Sequence, residues 1–160
     1  MEKFLSKHNE KSALALMMRI CSSQEKCKFD IAKKLADFEL SKESVDEIIG
    51  TLEKENFINE ERFAVAFAKD KFRFNKWGKV KIKHELNSKK ISHSNIYTAL
   101  DSIDETEYFE MVKSILIQKI KTIKNIDSYQ SKAKLINFAQ SKGFEMEIIY
   151  KCLPQIDFEE

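Results

Sequence analysis

Turn-forming residues are scarce in this chain: three glycines and one proline occur in 160 residues. That scarcity excludes a fold built on tight hairpins, and Lys, Glu, Ile, Leu and Ala, which together make up about half of the chain, point to an all-α protein. No apolar run approaches the ~18 residues that a membrane span requires. The opening "MEKFLSKHNEK" lacks the continuous apolar segment of a signal peptide. Cys21, Cys27 and Cys152 are odd in number and match no zinc spacing, so they read as reduced thiols in a cytoplasmic protein.

Signatures of chemistry are missing as well. The chain has no Gly-rich phosphate loop, no His-Glu-x-x-His and no Cys-x-x-Cys. His8, His84 and His93 are scattered among charged residues. His84 and Glu85 adjoin, but neighbours on a helix point about 100° apart and make a poor dyad. We therefore expect no enzyme activity, no catalytic residue, no cofactor and no metal site.

What is present is a recurrence. The apolar positions Ile31, Leu35, Leu40, Val45, Ile49 and Leu52 are separated by gaps of four, five, five, four and three. The same gaps run through Ile82, Leu86, Ile91, Ile96, Leu100 and Ile103, and again through Leu135, Ala139, Phe144, Ile149, Leu153 and Ile156. Gaps of three or four keep one helical face, and a gap of five breaks the phase. Each set therefore predicts helix, turn, helix. The turns centre on Glu39, Lys90 and Gly143. Glycine suits a left-handed cap there, and Glu or Lys is a poorer choice if the same backbone is used. Ser41 and Ser92 are the expected N-caps of the helices that follow.

An earlier helix precedes each set, in "SALALMMRI", "ERFAVAFAKDKF" and "EYFEMVKSILIQKI". Ser22 to Glu25 and Asp104 to Glu107 have capping-box spacing. The expected architecture is three tandem three-helix repeats, 12–58, 59–103 and 104–158, forming an elongated, curved array with a basic middle. The polar stretch 122–132, "TIKNIDSYQSK", predicts a longer loop in the third repeat, serving either binding or simple slack.

Charge is unevenly placed. The formal net charge is only +2, but 62–90 holds ten basic residues against Asp70 and Glu85. Much of the compensating acid lies between Glu39 and Glu61. Such asymmetry points to a charged partner surface. Helical spacing puts Arg62, Lys69 and Arg73 on one side. Phe63, Phe67 and Phe74 fall on another with Ala64 and Ala68, which predicts core. Lys79, Lys83 and Lys90 flank Ile82 and Leu86. Trp77 admits two readings, a lid packed over the turn at Gly78 or an exposed anchor among cations.

The stretch "NEERFAVAFAKDKFRFNKWGKVKIKHELNSKKIS", 59–92, resembles the signature of the RecX family. Glu61, Arg62, Phe63, Ala64, Arg73, Trp77, Gly78, Lys81, Glu85 and Leu86 match that pattern. The family usually has glycine where this chain has Lys90. "ALALMMRICSSQEKCKFDIAKKL" resembles the family's opening repeat, and the third repeat matches by spacing more than by identity. The resemblance implies three helical repeats and a regulator that binds the groove of the RecA–DNA filament. Such a regulator suppresses the filament's ATP hydrolysis and strand exchange. The contact surface expected from it is Arg62, Lys69, Lys71, Arg73, Lys76, Trp77, Lys79, Lys81 and Lys83, with DNA phosphate nearby and the protein a monomer. Two other readings remain open: direct binding of DNA through the basic second repeat, and a scaffold for an unrelated acidic protein.

Overall fold

The computed structural model describes residues 1–123, 127–156 and 158. Among them the regular elements are all helical: α1 (Glu2–Ser23), α2 (Lys28–Leu35), α3 (Lys42–Lys54), α4 (Glu60–Asn75), α5 (Lys79–Ser88), α6 (His93–Asp101), α7 (Glu105–Ile120), α8 (Ser128–Ser141) and α9 (Met146–Cys152). Short 3-10 turns follow α2 and α9. The helices group in threes as three tandem repeats.

The recurring apolar positions carry the interior. None of the eighteen is exposed, and only Leu40, Val45, Ile49 and Leu100 are less than fully buried. The turns between second and third helices repeat as well. Glu39 (φ 51°), Lys90 (φ 58°) and Gly143 (φ 91°) are all left-handed. Ile91 N–H donates to the Leu86 carbonyl (3.1 Å), and Phe144 N–H donates to that of Ala139 (3.2 Å). These bonds close the ends of α5 and α8 in the same way. Two of the three repeats thus accept the steric cost of a side chain at a position that suits glycine.

Caps set the helix starts. Ser41, Ser92 and Asp104 each accept the N–H three residues on, from Ser44 (3.1 Å), Asn95 (3.3 Å) and Glu107 (2.9 Å). The expected cap at Ser22 is wrong. α1 runs through Ser23, and Ser22 Oγ donates to the Met18 carbonyl (2.8 Å) inside that helix. Cys27 is the N-cap of α2 instead. α1 also starts at Glu2, ahead of the expected boundary at 12. The loop expected over 122–132 is shorter than predicted. Asp127 accepts the Gln130 N–H (2.8 Å) and starts α8 at Ser128; 124–126 lie outside the described residues. The first turn of α8 exposes Tyr129, Gln130 and Lys132, so its polar composition looked like loop.

The interior divides into two clusters. Ala13, Met17, Cys21, Ile31, Leu35, Ile48, Leu52 and Ile58 form one within the first repeat. A second runs without a break through repeats 2 and 3, and Cys27 is its one fully buried contribution from repeat 1. The accessible surface is 10,608 Å², whereas a compact monomer of this mass exposes about 8,300 Å². The excess fits an elongated array rather than a sphere.

The two joints are built differently. Between repeats 2 and 3 main chain meets main chain. Gly78 N–H donates to the Lys142 carbonyl (2.8 Å), and Val80 N–H donates to that of Gly143 (2.9 Å). Tyr108 is buried beside them. Its hydroxyl accepts the Lys79 N–H (3.0 Å) and donates to Glu145 Oε2 (2.6 Å), while its ring packs on Phe72 and Phe144. Between repeats 1 and 2, long polar side chains span the gap. Lys89 Nζ donates to Asp30 Oδ1 at 2.7 Å, with both side chains largely covered.

Candidate docking surface

α4 and α5 position the expected contact residues, and these do not share one fate. Arg62 is occupied inside the molecule. Its Nε donates to Glu25 Oε1 (2.5 Å), Nη1 to Asn56 Oδ1 (3.3 Å), and Nη2 to the carbonyls of Asn56 (3.1 Å) and Phe57 (3.4 Å). It clamps the α1–α2 connection and the α3–α4 connection onto the first turn of α4. Arg62 is a joint residue, with its guanidinium engaged inside the chain rather than offered outward.

Arg73 lies 3.9 Å from Glu107 in a loose, half-exposed pair. Such pairs contribute little, and the guanidinium stays available. Among the described residues, none of Lys69, Lys71, Lys76, Lys79, Lys81 and Lys83 has a carboxylate within ion-pair distance. Lys76 and Lys83 are exposed, and Lys69 is half-exposed.

Trp77 combines its two readings. It is half-buried and packed on the interior of repeats 2 and 3. The ammonium groups of Lys71 and Lys81 lie 4.9 and 4.5 Å from its ring. Lys79 lies 4.9 Å from the ring of Tyr108. Each aromatic face attracts its cation without cancelling the charge. The result is a set of lysines steadied on rings and helices, an arrangement suited to meeting an acidic surface.

One expected core residue is not core. Phe74 is 80% exposed, although it shares a helical stripe with Phe63 and Phe67. α4 spans sixteen residues and α6, its main packing partner, only nine. α4 outruns its cover, and spacing could not reveal where that cover ends. Phe72 takes the buried place instead.

The thiols have no reactive setting. Burial pushes Cys27 up to about 12 and Cys152 up to about 11, and it raises Cys21. Among the described residues no group of three His, Cys, Asp or Glu could hold a metal ion. No described helix is long and apolar enough to cross a membrane.

Fold and surface together define an all-α tandem-repeat protein whose middle repeat presents lysines without carboxylate partners among the described residues. Family models described as "RecX, second three-helix domain" and "RecX, third three-helix domain" match residues 59–100 and 105–153. The chain belongs to the RecX family. It is 30% identical over 141 residues to the regulatory protein RecX of Clostridium beijerinckii, covering 87% of this chain and 65% of that one. Against that of Oceanobacillus iheyensis it is 27% identical over 147 residues, covering 91% of this chain and 53% of the relative. Against that of Chlorobium phaeobacteroides it is 28% identical over 148 residues, covering 92% and 95%. This chain therefore spans about half to two thirds of the first two relatives and nearly all of the third. The crystal structure of RecX from Lactobacillus salivarius shares its fold at a TM-score of 0.84 and 18% identity, covering 96% of this chain and 99% of that one.

Proposed function

We propose that this protein binds the RecA–DNA filament and suppresses its ATP hydrolysis and strand exchange, acting as a cytoplasmic monomer that modulates recombination and repair. The observation that carries this reading is the set of lysines on α4 and α5 that lack carboxylate partners among the described residues, held on a helical scaffold. An inhibitor of a filament needs shape and charge that bridge neighbouring subunits, and it needs no reacting groups. The contact set becomes Lys69, Lys71, Arg73, Lys76, Trp77, Lys79, Lys81 and Lys83.

The decisive measurement is the DNA-dependent ATPase rate of RecA against rising amounts of this protein. The rate should fall as the protein is added. Lys69→Glu, Lys76→Glu and Lys83→Glu together should abolish the effect while helicity is kept. These three are preferable to Arg73 and Lys79, which lie at the repeat 2–3 joint. Full inhibition by the triple variant would refute the assignment.

Direct DNA binding through the same cations is the alternative. Neutralised phosphates release counterions, so log affinity for DNA alone would fall linearly with log salt. Binding to bare DNA as tight as to the filament would favour that alternative.

A further inference from the structure

Phe74 stands at the edge of a groove of about 360 Å³ between repeats 1 and 2. Phe63, Ala66 and Phe67 supply apolar lining. Two cross-repeat ion pairs border the groove, Glu25 with Arg62 and Asp30 with Lys89. With those four charges paired, Lys26, Lys71 and Asp70 are the remaining charged groups on its lining. Lys71 lies 5.4 Å from the Phe67 ring, at the boundary between the apolar lining and the cationic surface.

An exposed phenylalanine here gives the folded chain little. Most of its surface stays in water, and the helix would form equally well with a polar residue. The ring is a projecting apolar knob on a helix that also carries Lys69, Lys71 and Arg73. Interfaces concentrate their binding energy in such aromatic anchors, ringed by polar contacts that exclude water.

We propose that Phe74 and this groove receive a segment of the partner protein that pairs an apolar side chain with carboxylates. The apolar side chain packs against Phe74 and Phe67, and the carboxylates meet Lys71 and Lys26. This inference rests on the filament-binding reading and names the point where charge attraction becomes a specific dock. Surplus positive charge around the groove favours a partner of opposite sign. The aromatic pair selects for an apolar group inside that acidic surface.

The test compares the full chain with Phe74→Ala and Phe74→Leu for binding to RecA filaments on single-stranded DNA at several salt concentrations. Phe74→Ala should weaken binding at least about tenfold at every salt concentration. The slope of log affinity against log salt should not change, because no charge is removed. Phe74→Leu should recover most of the loss, and both variants should keep wild-type helicity and melting temperature. Wild-type affinity in Phe74→Ala overturns the anchor, and the filament-binding reading still stands if the lysine reversals abolish binding. An equal loss of affinity for bare DNA also overturns the anchor, because the ring would then be meeting nucleic acid. Failure of the unaltered chain to bind filaments overturns both proposals.

Discussion

A Cβ placed on Gly78 would lie 2.2 Å from the carbonyl oxygen of Gly143. Gly78 thus lacks a side chain so that the main chain of the next repeat can approach, and Gly143 lacks one because of its left-handed backbone and its closeness to Lys81. A Cβ on Gly143 would in turn meet Lys81 Cβ at 2.3 Å. Gly78→Ala should therefore force the main chains apart, with a loss of about 3 kcal/mol. Urea unfolding followed by circular dichroism measures this. A loss below about 0.5 kcal/mol would show that the joint yields easily.

Lys90 and Glu39 occupy left-handed positions without need of a side chain, since both are exposed. Lys90→Gly and Glu39→Gly should each raise stability by about 1 kcal/mol. Thermal melts of the two variants check the direction.

Tyr108 joins repeats through its hydroxyl. Tyr108→Phe leaves the ring packing but strips partners from the Lys79 N–H and the Glu145 carboxylate. The expected cost is about 1–2 kcal/mol, read from the denaturant midpoint with an unchanged m-value.

Asp30 and Glu60 should respond to acid in opposite ways. Burial alone would raise Asp30, but hydrogen bonds from Lys89 and the Cys27 thiol, with the Lys89 charge, outweigh it and hold the carboxyl below its usual value. Its contribution is complete above the unfolded value of about 3.9 and is lost as pH falls through the lower folded value. Asp30→Asn should flatten the acid limb of the stability curve. Glu60 is pushed up by burial, against the pull of Lys28, and its Oε2 is buried without a hydrogen-bond partner. A raised carboxyl favours the fold below its unfolded value of about 4.3 and loses that advantage as pH rises through the folded value. Glu60→Gln should stabilise the protein at pH 7, with the gain shrinking towards pH 4. Paired pH titrations of unfolding free energy test both signs.

The three thiols can report on the two interiors separately. Cys21 lies in the first-repeat cluster and Cys152 in the one shared by repeats 2 and 3. With raised pKa values, all three should react slowly with a thiol reagent in the native state. As urea is raised below the main transition, Cys21 should become reactive before Cys152, because the smaller interior opens at lower cost. Simultaneous labelling would mean that the chain unfolds as one cooperative body.

Most of the repeat architecture was legible because burial leaves a period in the sequence. Eighteen apolar positions at recurring gaps located the turn that bends the backbone at Glu39 and Lys90, where composition suggested nothing special. The misreadings at Arg62 and Phe74 concern relations between elements that only folding brings together. Arg62 looked like part of a cationic surface because Glu25 and Asn56 are brought to it only by folding. Phe74 looked like core because its stripe continues past the end of its neighbour. Ser22 looked like a cap because a helix that continues through it leaves no mark at the serine itself. Among the proposed contact residues, place on the helix was readable from spacing, and pairing was not.

The contrast between the joints bears on how such chains diverge. The joint between repeats 2 and 3 rests on main-chain hydrogen bonds across Gly78 and Gly143, with Tyr108 as its side-chain bridge. The angle between repeats 1 and 2 is held by Arg62, Glu25, Lys89 and Asp30, and one substitution can retune it. A change of one side chain can therefore loosen the first joint, whereas the main-chain bonds of the second stay in place.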